Sequence, residues 1–134
     1  MGCSSIPLVF LMFLFVYTAS STFEVTVHII SLVTDDPLTL FFRCKSENED
    51  LGYQQVYSDE EYNWTFKSDT NSYDFFFCHF YWNGKEIVFP VYDHAIGEEC
   101  AITNSTHHDC YWTGKPDGFY FWMRPEVLEK RYDW

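Results

Sequence analysis

Between Phe23 and Ser31 apolar and polar side chains take turns, Phe23, Val25, Val27 and Ile29 against Glu24, Thr26 and His28. A period of two sends alternate side chains to opposite faces, so this stretch predicts a half-buried strand. The period returns with Leu38, Leu40, Phe42 and Cys44 set against Thr39, Phe41, Arg43 and Lys45, which points Cys44 into the core. Asp35-Asp36-Pro37 separates the two runs and predicts a hairpin between them. Tyr53 to Tyr57 reads as a short strand, and Tyr62, Trp64 and Phe66 alternate with Asn63, Thr65 and Lys67, rings inward and Asn63 outward. Asp74 to Trp82 is apolar on both faces, Phe76, Cys78, Phe80 and Trp82 against Phe75, Phe77, His79 and Tyr81, and so belongs in the middle of a sheet. Asn83-Gly84 predicts a type I′ turn, because both central residues need positive φ. Lys85 to Tyr92 then returns antiparallel, with Pro90 marking a free edge or a bulge. After a long polar connection from Asp93 to Asp109, Cys110 to Thr113 and Gly118 to Met123 flank a turn cluster and predict a last hairpin. The sum is an all-β fold, a small antiparallel β-sandwich of seven or eight strands.

The first residues follow another pattern. Leu8 to Tyr17, LVFLMFLFVY, is apolar throughout and precedes the small residues Thr18, Ala19, Ser20 and Ser21. Ten helical residues reach about 15 Å, half the hydrocarbon thickness of a bilayer, so the run reads as the core of a secretory signal peptide. The expected division is a signal peptide at 1–21 and one domain at 22–134. Gly2 and Cys3 suggest acylation, but Ile6 stands where the myristoylation motif needs Ser or Thr. Cys44, Cys78, Cys100 and Cys110 follow the predicted cleavage, and four cysteines in an oxidising compartment read as two disulfides with three possible connectivities. Asn63-Trp64-Thr65 and Asn104-Ser105-Thr106 are N-glycosylation acceptors in a secreted chain.

Charge narrows the function. Eight Lys and Arg against 20 Asp and Glu give a net charge of -12, all of it after residue 21. Such a chain repels a phosphate backbone, so nucleic acid is not an expected partner. The acidic loop from Glu47 to Gly52 fails as an EF-hand, because Leu51 takes the fifth position and Ser58 the twelfth. Glu60-Glu61 and Glu98-Glu99 are poor acid and base pairs, because neighbours on a strand face opposite ways. His28, His79, His94, His107 and His108 have no ligand spacing; a zinc set of Cys100, His107, His108 and Cys110 lacks a C-x-x-C pair. Neither catalysis nor a cofactor nor a metal is expected. Aromatic residues make up 22% of the chain, more than a small core hides; the surplus reads first as ordinary exposed rings, and the alternative is an exposed patch with Phe75, Phe77 and Tyr81 as candidates unless the C-terminal tail covers them.

Several fragments occur in a familiar order: Phe42-Arg43-Cys44-Lys45-Ser46, Glu49-Asp50-Leu51-Gly52, Tyr62-Asn63-Trp64-Thr65-Phe66, Phe77-Cys78-His79-Phe80-Tyr81-Trp82, Val91-Tyr92-Asp93, Cys110-Tyr111-Trp112 and Asp117-Gly118. The chain resembles the plant self-incompatibility S-protein family, the S-protein homologues, over essentially all of residues 22–134. The resemblance implies a secreted sandwich braced by two disulfides, with the four cysteines matching the family's, and it adds no active site. The expected pairing is Cys44 with Cys110 and Cys78 with Cys100, two strand cysteines each meeting one from the late segment. Founding members are pistil ligands of a pollen plasma-membrane receptor. Two departures stand out: nine residues, including the Asn104 acceptor, separate Cys100 from Cys110, and the net charge is strongly acidic. The expected function is a secreted, extracellular (apoplastic), monomeric and non-enzymatic signalling ligand. A plasma-membrane receptor protein would read its loops Glu47 to Gly52 and Asp93 to Asp109, without membrane insertion after cleavage. The alternative is an extracellular carbohydrate-binding module using exposed rings.

Overall fold

Alternation becomes strand wherever it runs for more than a few residues. The computed structural model describes residues 22–124 and 127–134; the predicted signal peptide lies outside the described residues. Among these are β1 (Thr22–Ser31), β2 (Thr39–Lys45), β3 (Asp50–Tyr57), β4 (Glu61–Asp69), β5 (Phe76–Trp82) and β6 (Lys85–Tyr92). A short helix α1 (His94–Glu99) follows, then β7 (Ala101–Asn104), β8 (His107–Lys115), β9 (Gly118–Arg124) and β10 (Val127–Tyr132). Two sheets form: one in the order β10-β9-β8-β1-β4, with β7 beside the start of β8, and one in the order β3-β2-β5-β6. The all-β, disulfide-braced sandwich stands, with ten strands among the described residues where seven or eight were expected.

The predicted hairpin between β1 and β2 does not form. Residues 32–38 carry the chain across to the second sheet, where β2 pairs with β3 and β5. β1 instead lies between β4, antiparallel, and β8, parallel. The parallel pair follows from the path: the chain leaves β6 at the end of the sandwich where β1 begins, passes through α1 and β7, and enters β8 from that same end. β5 is central, as its two apolar faces require, and Asn83 and Gly84 adopt φ of 51° and 74° in the turn that follows. β6 is an edge strand, and its register against β5 shifts beside Pro90.

Between the sheets lie Val25, Val27 and Ile29 of β1, Leu40 and Phe42 of β2, Phe80 of β5, Trp112 of β8 and Phe119 and Phe121 of β9, all essentially inaccessible to solvent. Each large apolar side chain so buried contributes roughly 1.5–3 kcal/mol of transfer free energy. Rings interlock at Phe89, whose centroid lies 5.1 Å from that of Phe80, 5.0 Å from Trp112 and 4.1 Å from Tyr132. Two buried indoles find backbone partners: Trp112 Nε1 donates to the Val91 carbonyl at 2.9 Å and Trp82 Nε1 to that of Pro37 at 2.7 Å.

The expected disulfide pairing is corrected: Cys44 bonds Cys78, and Cys100 bonds Cys110. Cys44 and Cys78 stand directly opposite in the β2/β5 register with Cα atoms 4.0 Å apart, so each strand cysteine meets the other. Cys110 belongs to the other sheet. It faces inward beneath the end of α1, where Cys100 lies with its Cα 4.7 Å away.

Candidate interaction surface

Three connections that are distant in sequence meet at one end of the sandwich. β2 ends and β3 begins there, joined by 46–49; β4 ends and β5 begins there, joined by 70–75; and β6 leaves there into α1 and the β7–β8 turn. Glu47, Asn48 and Glu49 are exposed, as are His94, Glu98, Glu99 and the run 102–106. Of the long connection expected as a polar loop, six residues are helix. Asp93 caps them, its Oδ1 accepting from the Ile96 amide at 2.8 Å, and Ile96 is buried. The Asx-type cap before an apolar residue was the available sequence signal. Cys100–Cys110 then pins this segment to β8, which leaves neither sulfur free for a zinc set with His107 and His108.

The outer face of the four-stranded sheet is covered with rings. The register sets Tyr53, Arg43, His79 and Val88 in one row, Gln55, Phe41, Tyr81 and Glu86 in the next, and Lys45, Phe77 and Pro90 in a third. Of the three candidates read from sequence, Phe75 is 46% exposed at the rim, while Phe77 and Tyr81 are half-buried on the face. Phe41, Tyr53 and Val88, at 45%, 70% and 53% exposure, join them and were missed, although the β2 alternation already turned Phe41 outward. The C-terminal tail leaves this face open, because β10 pairs with β9 of the other sheet and Trp134 packs on Trp82 and Phe119. Charges on the face are largely matched internally. Arg43 Nε donates to Asp50 Oδ1 at 3.0 Å and its guanidinium lies over the Tyr53 ring, and this pair holds the Asp50 carboxyl far below the usual carboxylate range. His79 Nε2 lies 3.7 Å from Glu86.

The opposite face, on the six-stranded sheet, carries a polar network. His28 bridges two neighbouring strands, Nδ1 2.6 Å from Glu61 Oε2 on β4 and Nε2 2.8 Å from Asp109 Oδ1 on β8, and stacks on Tyr111 at 4.2 Å. His107 Nε2 approaches the same Asp109 oxygen at 3.3 Å. Burial would raise the Glu61 pKa, but hydrogen bonds from His28 and Asn63 outweigh it and hold the carboxyl below its usual range. Burial pushes the His108 imidazole down, and Phe23 stacks on it at 4.3 Å. This network was illegible in sequence, because it depends on the parallel β1–β8 pairing and joins residues 81 apart. The remaining paired carboxylates lie apart from it, Glu60 exposed in a turn and Glu98 and Glu99 on α1. Among the described residues, no group of three His, Cys, Asp or Glu side chains is arranged to hold a metal ion.

Both glycosylation acceptors belong to the six-stranded sheet. Asn63 is exposed on the outer face of β4, with Nδ2 donating to Glu61 Oε2 at 3.1 Å. Asn104 ends β7, its Oδ1 accepting from the amide and hydroxyl of Thr106, each at 2.8 Å.

Residues 26–134 match the family model for plant self-incompatibility protein S1. Among curated proteins of Arabidopsis thaliana, S-protein homolog 5 is 33% identical over 66% of this chain and 62% of its own length. S-protein homolog 1 is 31% identical over 84% of this chain and 73% of its own. The chain therefore spans somewhat under two thirds of the first relative's length and nearly three quarters of the second's. A solved structure of an SPH (self-incompatibility protein homologue) protein, described as one of a widespread family of small, highly stable, secreted plant proteins, superposes with a TM-score of 0.56. That likeness, at 19% identity over 85% of this chain and 96% of the other, concerns the fold. With the family model extending from β1 to the final residue, this chain belongs to the plant self-incompatibility S1 family.

Proposed function

We propose that the protein is a secreted, non-enzymatic signalling ligand, read at the cell surface by a plasma-membrane receptor protein. The observation that carries this reading is the meeting of segments 46–49, 70–75 and 93–106 at one end of a braced sandwich. Loops on a rigid frame can vary in sequence without disturbing the core, which is what discrimination between partners requires. The apolar leading run and the description of the solved relative as secreted both support an extracellular destination, the apoplast. In this reading residues 1–21 are removed, residues 22–134 act as a monomer, and Asn63 and Asn104 carry N-glycans, since both side chains are exposed.

The test is capture of plasma-membrane proteins by the oxidised, secreted chain. It is repeated after two of the end segments, Glu47 to Gly52 and Asp93 to Asp109, are exchanged for those of a homologue. The expected result is one receptor band that the exchange abolishes or redirects. Unchanged capture after the double exchange would sink recognition by the loops.

A further inference from the structure

We propose that the outer face of the β3-β2-β5-β6 sheet is a docking platform for an uncharged, β-linked polysaccharide chain. This goes beyond the receptor reading and does not rest on it, because the rings it uses, Phe41, Tyr53, Phe77 and Tyr81, lie outside the end segments.

The first support is the composition of the face. Phe41, Tyr53, Phe77 and Tyr81 alternate along and across the strands with Gln55, Arg43, His79 and Glu86. Flat β-linked sugar rings present C–H surfaces, which pack on aromatic rings, and hydroxyl rims, which hydrogen-bond to polar side chains between the rings. A hollow of about 150 Å³ opens between Tyr53, Arg43, His79, Phe77 and Val88. His79 lines it, its ring held in place by the Tyr81 hydroxyl 3.0 Å from Nδ1.

The second support is charge. The molecule carries -12, yet on this face Arg43 is matched by Asp50, and Lys45 and Glu86 add one charge of each sign. A protein partner chosen by charge would be steered to the acidic remainder of the surface. An acidic polysaccharide would meet repulsion from that remainder and no net positive charge on this face to offset it. A neutral chain asks neither for attraction nor for desolvation of an unmatched charge, and it fits a face already neutralised within itself. The third support is the position of the acceptors: Asn63 and Asn104 both lie on the six-stranded sheet, so carbohydrate attached to the chain stands clear of this platform.

The experiment measures binding of the secreted, oxidised chain to soluble β-1,4-linked glucan, xylan and mannan hexasaccharides by calorimetry, with an oligogalacturonate as the charged comparison. Phe41→Ala and Tyr53→Ala remove exposed rings and leave the core intact, which circular dichroism and unchanged thermal unfolding verify. The expected result is binding of at least one neutral series, insensitive to added NaCl, and weakened about tenfold by either substitution. A control, Tyr120→Ala on the other sheet, leaves it unchanged. Lack of binding to every neutral series overturns the proposal. So does binding confined to the oligogalacturonate and abolished by salt, or a concentration-dependent dimer that Tyr53→Ala dissolves, which would assign the face to a second copy. Receptor capture by the loop end is unaffected by these substitutions, so the two readings fail separately.

Discussion

At Gly118 the chain turns into β9 with φ of 148°, and a Cβ there would stand 2.1 Å from the backbone oxygen of Tyr132. Backbone cannot swing aside as a side chain can, so Gly118→Ala must displace β10 from β9. The expected loss is about 2 kcal/mol or more, measured by denaturant unfolding. Gly52, with φ of 77° and open space around it, isolates the conformational part alone, and Gly52→Ala should cost only about 1 kcal/mol. Equal losses at the two positions would show that the contact with Tyr132 matters little. The Glu61 carboxyl makes a separate prediction. His28 and Asn63 hold its folded pKa below the ordinary value of 4.5, so its contribution is fully present above that value and is lost as pH falls through the lower folded pKa. Glu61→Gln should therefore destabilise the protein at pH 6 and make little difference at pH 2, read as the difference in unfolding midpoint between the two chains. A gap that widens on acidification would contradict the assignment.

Among the elements, the two disulfides close loops of different length, 34 residues apart for Cys44–Cys78 and 10 for Cys100–Cys110. The chain-entropy argument gives about 4 kcal/mol for the first and about 3 kcal/mol for the second. Cys44→Ala with Cys78→Ala should lower stability more than Cys100→Ala with Cys110→Ala, and chemical denaturation of both pairs checks the order. The reverse order would mean that docking of α1 and β7 on β8 outweighs the constraint on the unfolded chain. The correct pairing was hidden in the sequence for a physical reason. Alternation says which way Cys44 and Cys78 point, but not that β2 and β5 are neighbours. The same limit explains the false β1–β2 hairpin: period two reports a strand and its buried face, while pairing is decided by which strands share a sheet. Asn83-Gly84 was legible because its geometry is wholly local. The helix α1 escaped because six residues are too few to show a period, and β10 because its exposed, charged face lacks the alternation that betrays a buried one. The ring face was half legible: β5 announced Phe77 and Tyr81, but gathering Phe41 and Tyr53 beside them needed the register.

For the whole molecule, eight Lys and Arg cannot neutralise 20 Asp and Glu, so an excess of twelve negative charges remains whatever the pairing. The ion pairs that do form are at the surface, among them Arg131 with Glu99 at 2.6 Å and Lys130 with Asp133 at 2.6 Å, and pairs of this kind contribute about 0–1 kcal/mol each. Folding packs the surplus negative charge into a smaller volume than the unfolded chain occupies, so self-repulsion opposes the compact state. Salt acts on both contributions. The Debye length shrinks from about 30 Å at 0.01 M to about 3 Å at 1 M, which screens distant repulsions, while close pairs keep more of their attraction. Repulsion summed over an excess of twelve charges reaches across the molecule and is lost first. The thermal midpoint at pH 7 should thus rise steadily as NaCl goes from 10 mM to 0.5 M, whereas binding of a neutral glycan to the ring face stays level over the same range. A midpoint that falls with salt would mean that the few surface pairs outweigh the excess charge. Glycan binding that fell with it would show charge recognition on the ring face.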